Sequence, residues 1–131
     1  MSTTATTTRP AIQALPAGAL AARLKAELPA WTLEGGALCR VIRTGGWKAT
    51  LMVVNTIGHL AEAAWHHPDL AVSYNQVRIA LSTHEAKGIT ERDFALASKL
   101  EQVLMWQPGA EPGAVLEGTP ADPRHAYIVY D

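Results

Sequence analysis

Three histidines gather the chemistry of this chain: His66 and His67, adjacent and followed by Pro68, and His84 beyond them. Imidazole titrates near neutrality, so at pH 7 such a ring can both take and give a proton. Glu62 lies four residues before His66, one turn away if the segment is helical, where it could orient the ring or hold its proton. Arg92 could bind an electron-rich oxygen or pair with a carboxylate. Glu91 and Asp93 flank it, so an ordinary surface ion pair is the plain alternative. Three histidines could also hold zinc, but the spacing argues against a metal. His84-Glu85 opens like a helical His-Glu-x-x-His motif, yet position 88 is glycine. The histidines also have a purely structural reading, since cationic histidine is favoured at a helix C-terminus. No phosphate loop, nucleophile elbow or cysteine nucleophile is present, and Cys39 falls in a strand pattern where it reads as structural.

These side chains need elements to hold them. Apolar residues at 53, 54, 57, 60, 61, 64 and 65 follow the spacing of an amphipathic helix from about Trp47 to Trp65, and Pro68 forces the chain out of it. An Ala/Leu-rich helix is expected over 17–28, with Pro16 before it and Pro29 ending it. Trp31 to Leu33 and Ala37 to Arg43 flank Gly35-Gly36 as a β-hairpin. Residues 72–83 read as one extended run, clearest from Gln76, where Val77, Ile79, Leu81 and Thr83 alternate with more polar positions. A last helix begins at Thr90, with Asp93 as an imperfect capping box, and buries Phe94, Ala97, Leu100, Val103 and Leu104. Four prolines then fall in residues 107–131, which therefore form no helix and end in the sticky Ala126–Tyr130. The expected organisation is a disordered Thr-rich leader (1–14), a folded domain (15–106) and a Pro/Gly-rich extension (107–131) lying on the domain or on a partner.

Composition narrows the function. The chain has 131 residues, 48% of them hydrophobic, and a net charge of −1. That excludes a wholly disordered chain and disfavours a basic nucleic-acid binder, so no direct nucleic-acid contact is expected. The longest apolar stretch, Ala49 to Ile57, is far short of the ~20 residues that span a bilayer, and no membrane contact is expected. Gln13, Pro16 and Gly18 interrupt the apolar run a signal peptide would need. With a single cysteine, the working expectation is a cytoplasmic protein.

The run Glu62-Ala-Ala-Trp-His66-His67-Pro68-Asp69, continuing through Tyr74, Ser82-Thr83-His84-Glu85 and Gly88 to Arg92-Asp93, resembles the signature of the pterin-4a-carbinolamine dehydratases. Glu62, His66, His67, Pro68, Tyr74, His84 and Asp93 fill each slot of that pattern, and the resemblance covers roughly 31–106. It implies an α+β fold, a four-stranded antiparallel sheet with helices packed on one face, assembled as a homodimer or homotetramer. The implied reaction removes water from 4a-hydroxytetrahydrobiopterin to give the quinonoid dihydropterin, with the pterin as substrate and no cofactor or metal. His66 and His84 would then handle the protons at N5 and the departing hydroxyl. His67 would form a wall of the pocket, and Glu62 and Arg92 would position and polarise. Asp69, Ser82, Thr83 and Glu85 would contact the pterin. Three positions depart from the family: Leu70, where Trp is usual, loses a stacking surface; Trp65, where a polar residue is common, is expected to crowd the pocket; and Lys87 replaces a small residue. The tail is similar to that of carboxysome-linked pterin-dehydratase-like proteins. That likeness implies the alternative of a RuBisCO assembly factor or chaperone, with the RuBisCO large subunit as partner.

Overall fold

The computed structural model describes residues 11–131, so most of the expected leader lies outside the described residues. Residues 11–14 carry no regular structure. The elements then run α1 (Ala17–Glu27), β1 (Thr32–Glu34), β2 (Ala37–Thr44), α2 (Trp47–Ala64), β3 (Asp69–Ser73), β4 (Gln76–Leu81), α3 (Glu91–Leu104) and β5 (Ile128–Val129), with short 3₁₀ turns at His84–Ala86, Pro108–Ala110 and Pro123–His125. The sheet is antiparallel in the order β1-β2-β4-β3. The two-residue β5 adds a fifth member, pairing with β2 at Arg43 and Thr44. The fold is α+β, as the resemblance implied, with that short strand added.

The strand alternation puts one face of the sheet into the core. Leu38 and Ile42 of β2 stand beside Leu81 and Val77 of β4, all essentially inaccessible, and Ile79 lies between them. Leu20, Leu24 and Leu28 of the first helical segment, Val53 and Ile57 of α2, and Phe94, Ala97 and Leu100 of α3 cover that face. Each buried Leu or Ile contributes roughly 1.5–3 kcal/mol through removal from water. The helix expected at Trp47–Trp65 stops one residue short, and its last expected core residue, Trp65, is exposed. Val103 is likewise exposed, and Leu96 takes its place in the stripe of α3.

Turn chemistry sets the strand ends. Gly35 and Gly36 both adopt positive φ (57° and 76°), which a two-residue hairpin turn of this hand requires. The single extended run expected over 72–83 is a second hairpin, turning at Tyr74-Asn75. That turn holds no glycine or proline, and Ser73 and Asn75 are its only turn-favouring residues.

The tail lies on its own domain. Gly45 donates to the Tyr127 carbonyl at 2.7 Å, and a Cβ at position 45 would stand 2.5 Å from that of Ala126. Only glycine allows this approach. Tyr130 bonds the Trp106 carbonyl through its hydroxyl, and a cleft of about 630 Å³ within the segment that follows α3 is lined by Trp106, Pro120, Tyr127 and Tyr130. Arg40, almost fully buried, meets both carboxylate oxygens of Glu101 (2.9 and 3.0 Å) and both of Asp131 (3.1 Å each). Burial opposes the Arg40 charge, but these two carboxylates outweigh it and hold the guanidinium protonated. No helix among the described residues is long and apolar enough to cross a membrane.

Candidate active site

The site forms where α2 ends and α3 begins. The last turn of α2 closes in a Schellman motif: Trp65 adopts the left-handed conformation (φ 53°, ψ 47°), its amide bonds the Glu62 carbonyl at 3.2 Å, and the His66 amide bonds the Ala61 carbonyl at 3.1 Å. The reversal takes His66 off the helical track. Glu62 therefore does not meet His66 as the i, i+4 spacing suggested. It meets His67 instead, with Oε2 2.5 Å from Nε2.

His66 turns to α3. Its Nε2 lies 2.6 Å from Oδ1 of Asp93, a carboxylate with no solvent exposure. Asp93 sits at the third position of α3 because Thr90 caps that helix: the Thr90 amide donates to Asp93 Oδ2 at 2.9 Å, and the Thr90 hydroxyl accepts from the Arg92 amide. The positive end of the helix dipole favours an anion there. Thr83, the second residue past β4, donates its only hydroxyl proton to Asp93 Oδ2 at 2.8 Å. The 2.7 Å contact between the Thr83 and Thr90 hydroxyls is then donated by Thr90.

Asp93 thus accepts from His66, Thr83 and the Thr90 backbone. An ionised carboxylate can only accept, so in the neutral His66 ring the proton sits on Nε2 and Nδ1 keeps its lone pair. The capping box was legible in the sequence, and Asp93 filled a slot of the family pattern. Its pairing with His66 across 27 residues of chain had no local signal.

The other expected residues fall on the segments that adjoin this centre along the chain. His84 is exposed and opens the 3₁₀ turn directly after Thr83. Arg92, partly exposed, reaches Glu85 at 3.4 Å. Its neighbours do not form the surface pair sequence allowed: Glu91 pairs with Arg23 of α1 and Asp93 is buried. Thr83, expected at a pterin edge, is 1% exposed and its hydroxyl is committed to Asp93 and Thr90, so it holds the carboxylate rather than facing a ligand. Ser82 is half-buried beside it, and Asp69 is exposed at the start of β3. Leu70 packs against the core. Trp65 is 76% exposed, its ring nearly perpendicular to that of His67. Trp65 and Lys87 are the non-glycine residues with positive φ among the described residues, and both flank this site. Among the described residues, no three histidine, cysteine or acidic side chains converge as a metal-binding group.

The family model for pterin 4 alpha carbinolamine dehydratase matches residues 13–103, ending before the tail. A protein of Aquifex aeolicus is 49% identical over 77 residues, spanning 55% of this chain and 78% of that protein. One of Chloroflexus aurantiacus is 44% identical over 79 residues, 60% of this chain and 85% of its own length. Both carry a provisional pterin-4-alpha-carbinolamine dehydratase name. A Brucella melitensis crystal structure described as a transcriptional coactivator/pterin dehydratase superposes with a TM-score of 0.65 over 70% of this chain and 99% of that one, at 24% identity, which is a likeness of fold. The extent of the family match, together with the filled histidine and acidic positions, places this chain in the pterin-4a-carbinolamine dehydratase family.

Proposed function

We propose that the protein dehydrates a 4a-hydroxytetrahydropterin to the quinonoid dihydropterin by general acid–base catalysis. The observation that carries this reading is the buried Asp93 carboxyl set 2.6 Å from Nε2 of His66. In the reaction the N5 proton leaves, the C4a–O bond breaks, a C4a=N5 double bond forms, and the hydroxyl departs as water. His66 Nδ1 takes the N5 proton, and protonated His84 delivers one to the leaving hydroxyl. Asp93 holds the positive charge that develops on His66, as a buried acceptor does for any imidazole base. In this reading His67, held by Glu62, would wall the pterin site, and Arg92, held by Glu85, would border it with Asp69 and Ser82.

The test is absorbance-followed dehydration of freshly generated 4a-hydroxytetrahydrobiopterin. Wild type should accelerate it, and His66→Ala and His84→Ala should each slow the enzyme by roughly 10²–10⁴-fold. Absence of acceleration by folded wild type, or full activity in both variants, rejects the reading. The protein is further proposed to be a homo-oligomer, supported by β3, an edge strand with no neighbour on one side in the described chain. Light scattering on the purified protein decides this.

A second role, assembly of RuBisCO through the tail, draws its support from the exposed Val115 and Leu116, which give that segment a free apolar surface. Deleting 107–131 should then abolish capture of the RuBisCO large subunit. Equal capture by full-length and truncated protein, or none by either, removes that role.

A further inference from the structure

Trp65 combines two costly features. It holds a backbone conformation that side chains other than glycine and asparagine seldom adopt. It also leaves three quarters of a large aromatic surface in water. Strain and exposed apolar area on one residue point to function when both fall at a site. The indole does not serve the core, and its contact is with a site residue: its ring lies 5.0 Å from that of His67, the planes 83° apart. Two planes at a right angle make a corner. A flat bicyclic ring laid on one wall presents its edge, where its hydrogen-bonding atoms lie, to the other. The neighbouring strand supplies no aromatic alternative, because Leu70 is turned into the core.

We propose that Trp65 is the stacking surface for the pterin ring, with His67 meeting the ring's edge. This rests on the pterin reading of the site and assigns its ring-binding face to a residue that sequence alone placed as an obstruction. Aromatic–aromatic stacking of this kind is worth about tenfold or more in affinity. The strained Trp65 backbone is retained because the side chain is needed outside the fold.

Stacking and obstruction give opposite results. Titration with 7,8-dihydrobiopterin, a stable reduced pterin, followed by fluorescence quenching or equilibrium dialysis, should show Trp65→Phe binding within about threefold of wild type. Trp65→Asn should bind about tenfold or more weakly. Asparagine suits the left-handed position, so Trp65→Asn should also raise the melting temperature by roughly 3–6 °C. Weaker binding by a more stable variant is a result no structural role of Trp65 produces. Unchanged or tighter binding by Trp65→Asn overturns the proposal, as does failure of wild type to bind the probe. Wild type that binds the probe through Trp65 but does not accelerate dehydration leaves the stacking surface standing and rejects the dehydratase reading. Acceleration with KM indifferent to Trp65 does the reverse.

Discussion

The two ends of the sheet use the same local device to different effect. At one end Thr44, closing β2, meets Thr50 in the first turns of α2, hydroxyl to hydroxyl at 2.7 Å. At the other, Thr83 beyond β4 meets Thr90 at the start of α3, also at 2.7 Å. The ends are separated by roughly 20 Å, at about 3.3 Å of rise per strand residue. At the first, Thr50 donates onward to the Tyr74 carbonyl, a neutral backbone acceptor. At the second, Thr83 donates onward to the Asp93 carboxylate, which holds His66. A threonine pair joining strand to helix is therefore a structural clasp in itself. It becomes part of a proton-handling site only where its last acceptor is ionisable and touches an imidazole.

The sharpest way to break this comparison is a matched pair of isosteric substitutions. Thr83→Val and Thr50→Val should each lower stability by about 1–3 kcal/mol, since each removes a buried hydroxyl and strands its partners. Only Thr83→Val should also cut kcat, by roughly 10–100-fold, the loss expected when the carboxylate behind a base is left short of a donor. Urea denaturation and initial rates measure the two effects. Equal kcat in both variants would mean that Asp93 needs no support from Thr83.

A smaller effect should come from the tail. Gly45→Ala places a methyl where Ala126 sits, so the 107–131 segment should undock and become open to limited proteolysis. Stability should fall by about 1 kcal/mol through the lost backbone hydrogen bonds. Dehydration should be unaffected, because the seat is at the far end of the sheet from the histidines. Continued protection of the tail would show that Gly45 is not what seats it.

The smallest effect concerns the ion pair that ties α1 to α3. Arg23 holds the Glu91 carboxyl below its usual range, and Arg23 also lies over the Phe94 ring at 4.3 Å. A depressed carboxyl contributes stability above its unfolded-state pKa and loses it as pH falls through the lower folded value. Wild type should thus exceed Glu91→Gln in stability at neutral pH, and the gap should close under acid. The pair is largely exposed and screened, so the difference at pH 7 should be no more than about 0.5 kcal/mol by chemical denaturation.

Much of this protein was legible in its residues. The amphipathic spacing of α2 and α3, the Gly35-Gly36 hairpin, the Thr90–Asp93 capping box and the break at Pro68 arise from contacts within a few residues, governed by backbone sterics and short-range hydrogen bonds. The identities of the histidines followed from the same stretch of chain. The hairpin at Tyr74-Asn75 was missed because Ser73 and Asn75 are a weaker turn signal than glycine or proline. Trp65 was misplaced because hydrophobic periodicity does not register where a helix ends in a left-handed residue.

Which carboxylate serves which histidine was a matter for the tertiary structure. Glu62 is near His66 in sequence and pairs with His67; Asp93 is distant and pairs with His66. One left-handed residue at the end of α2 redirects the chain, and the packing of α2 beside α3 then determines what each ring meets. Local sequence specifies the helices and tight turns because their hydrogen bonds close over three to five residues, and it marks the strands only by their alternation. The site depends on the angles at which those elements leave one another, and those are set only when the shared core packs.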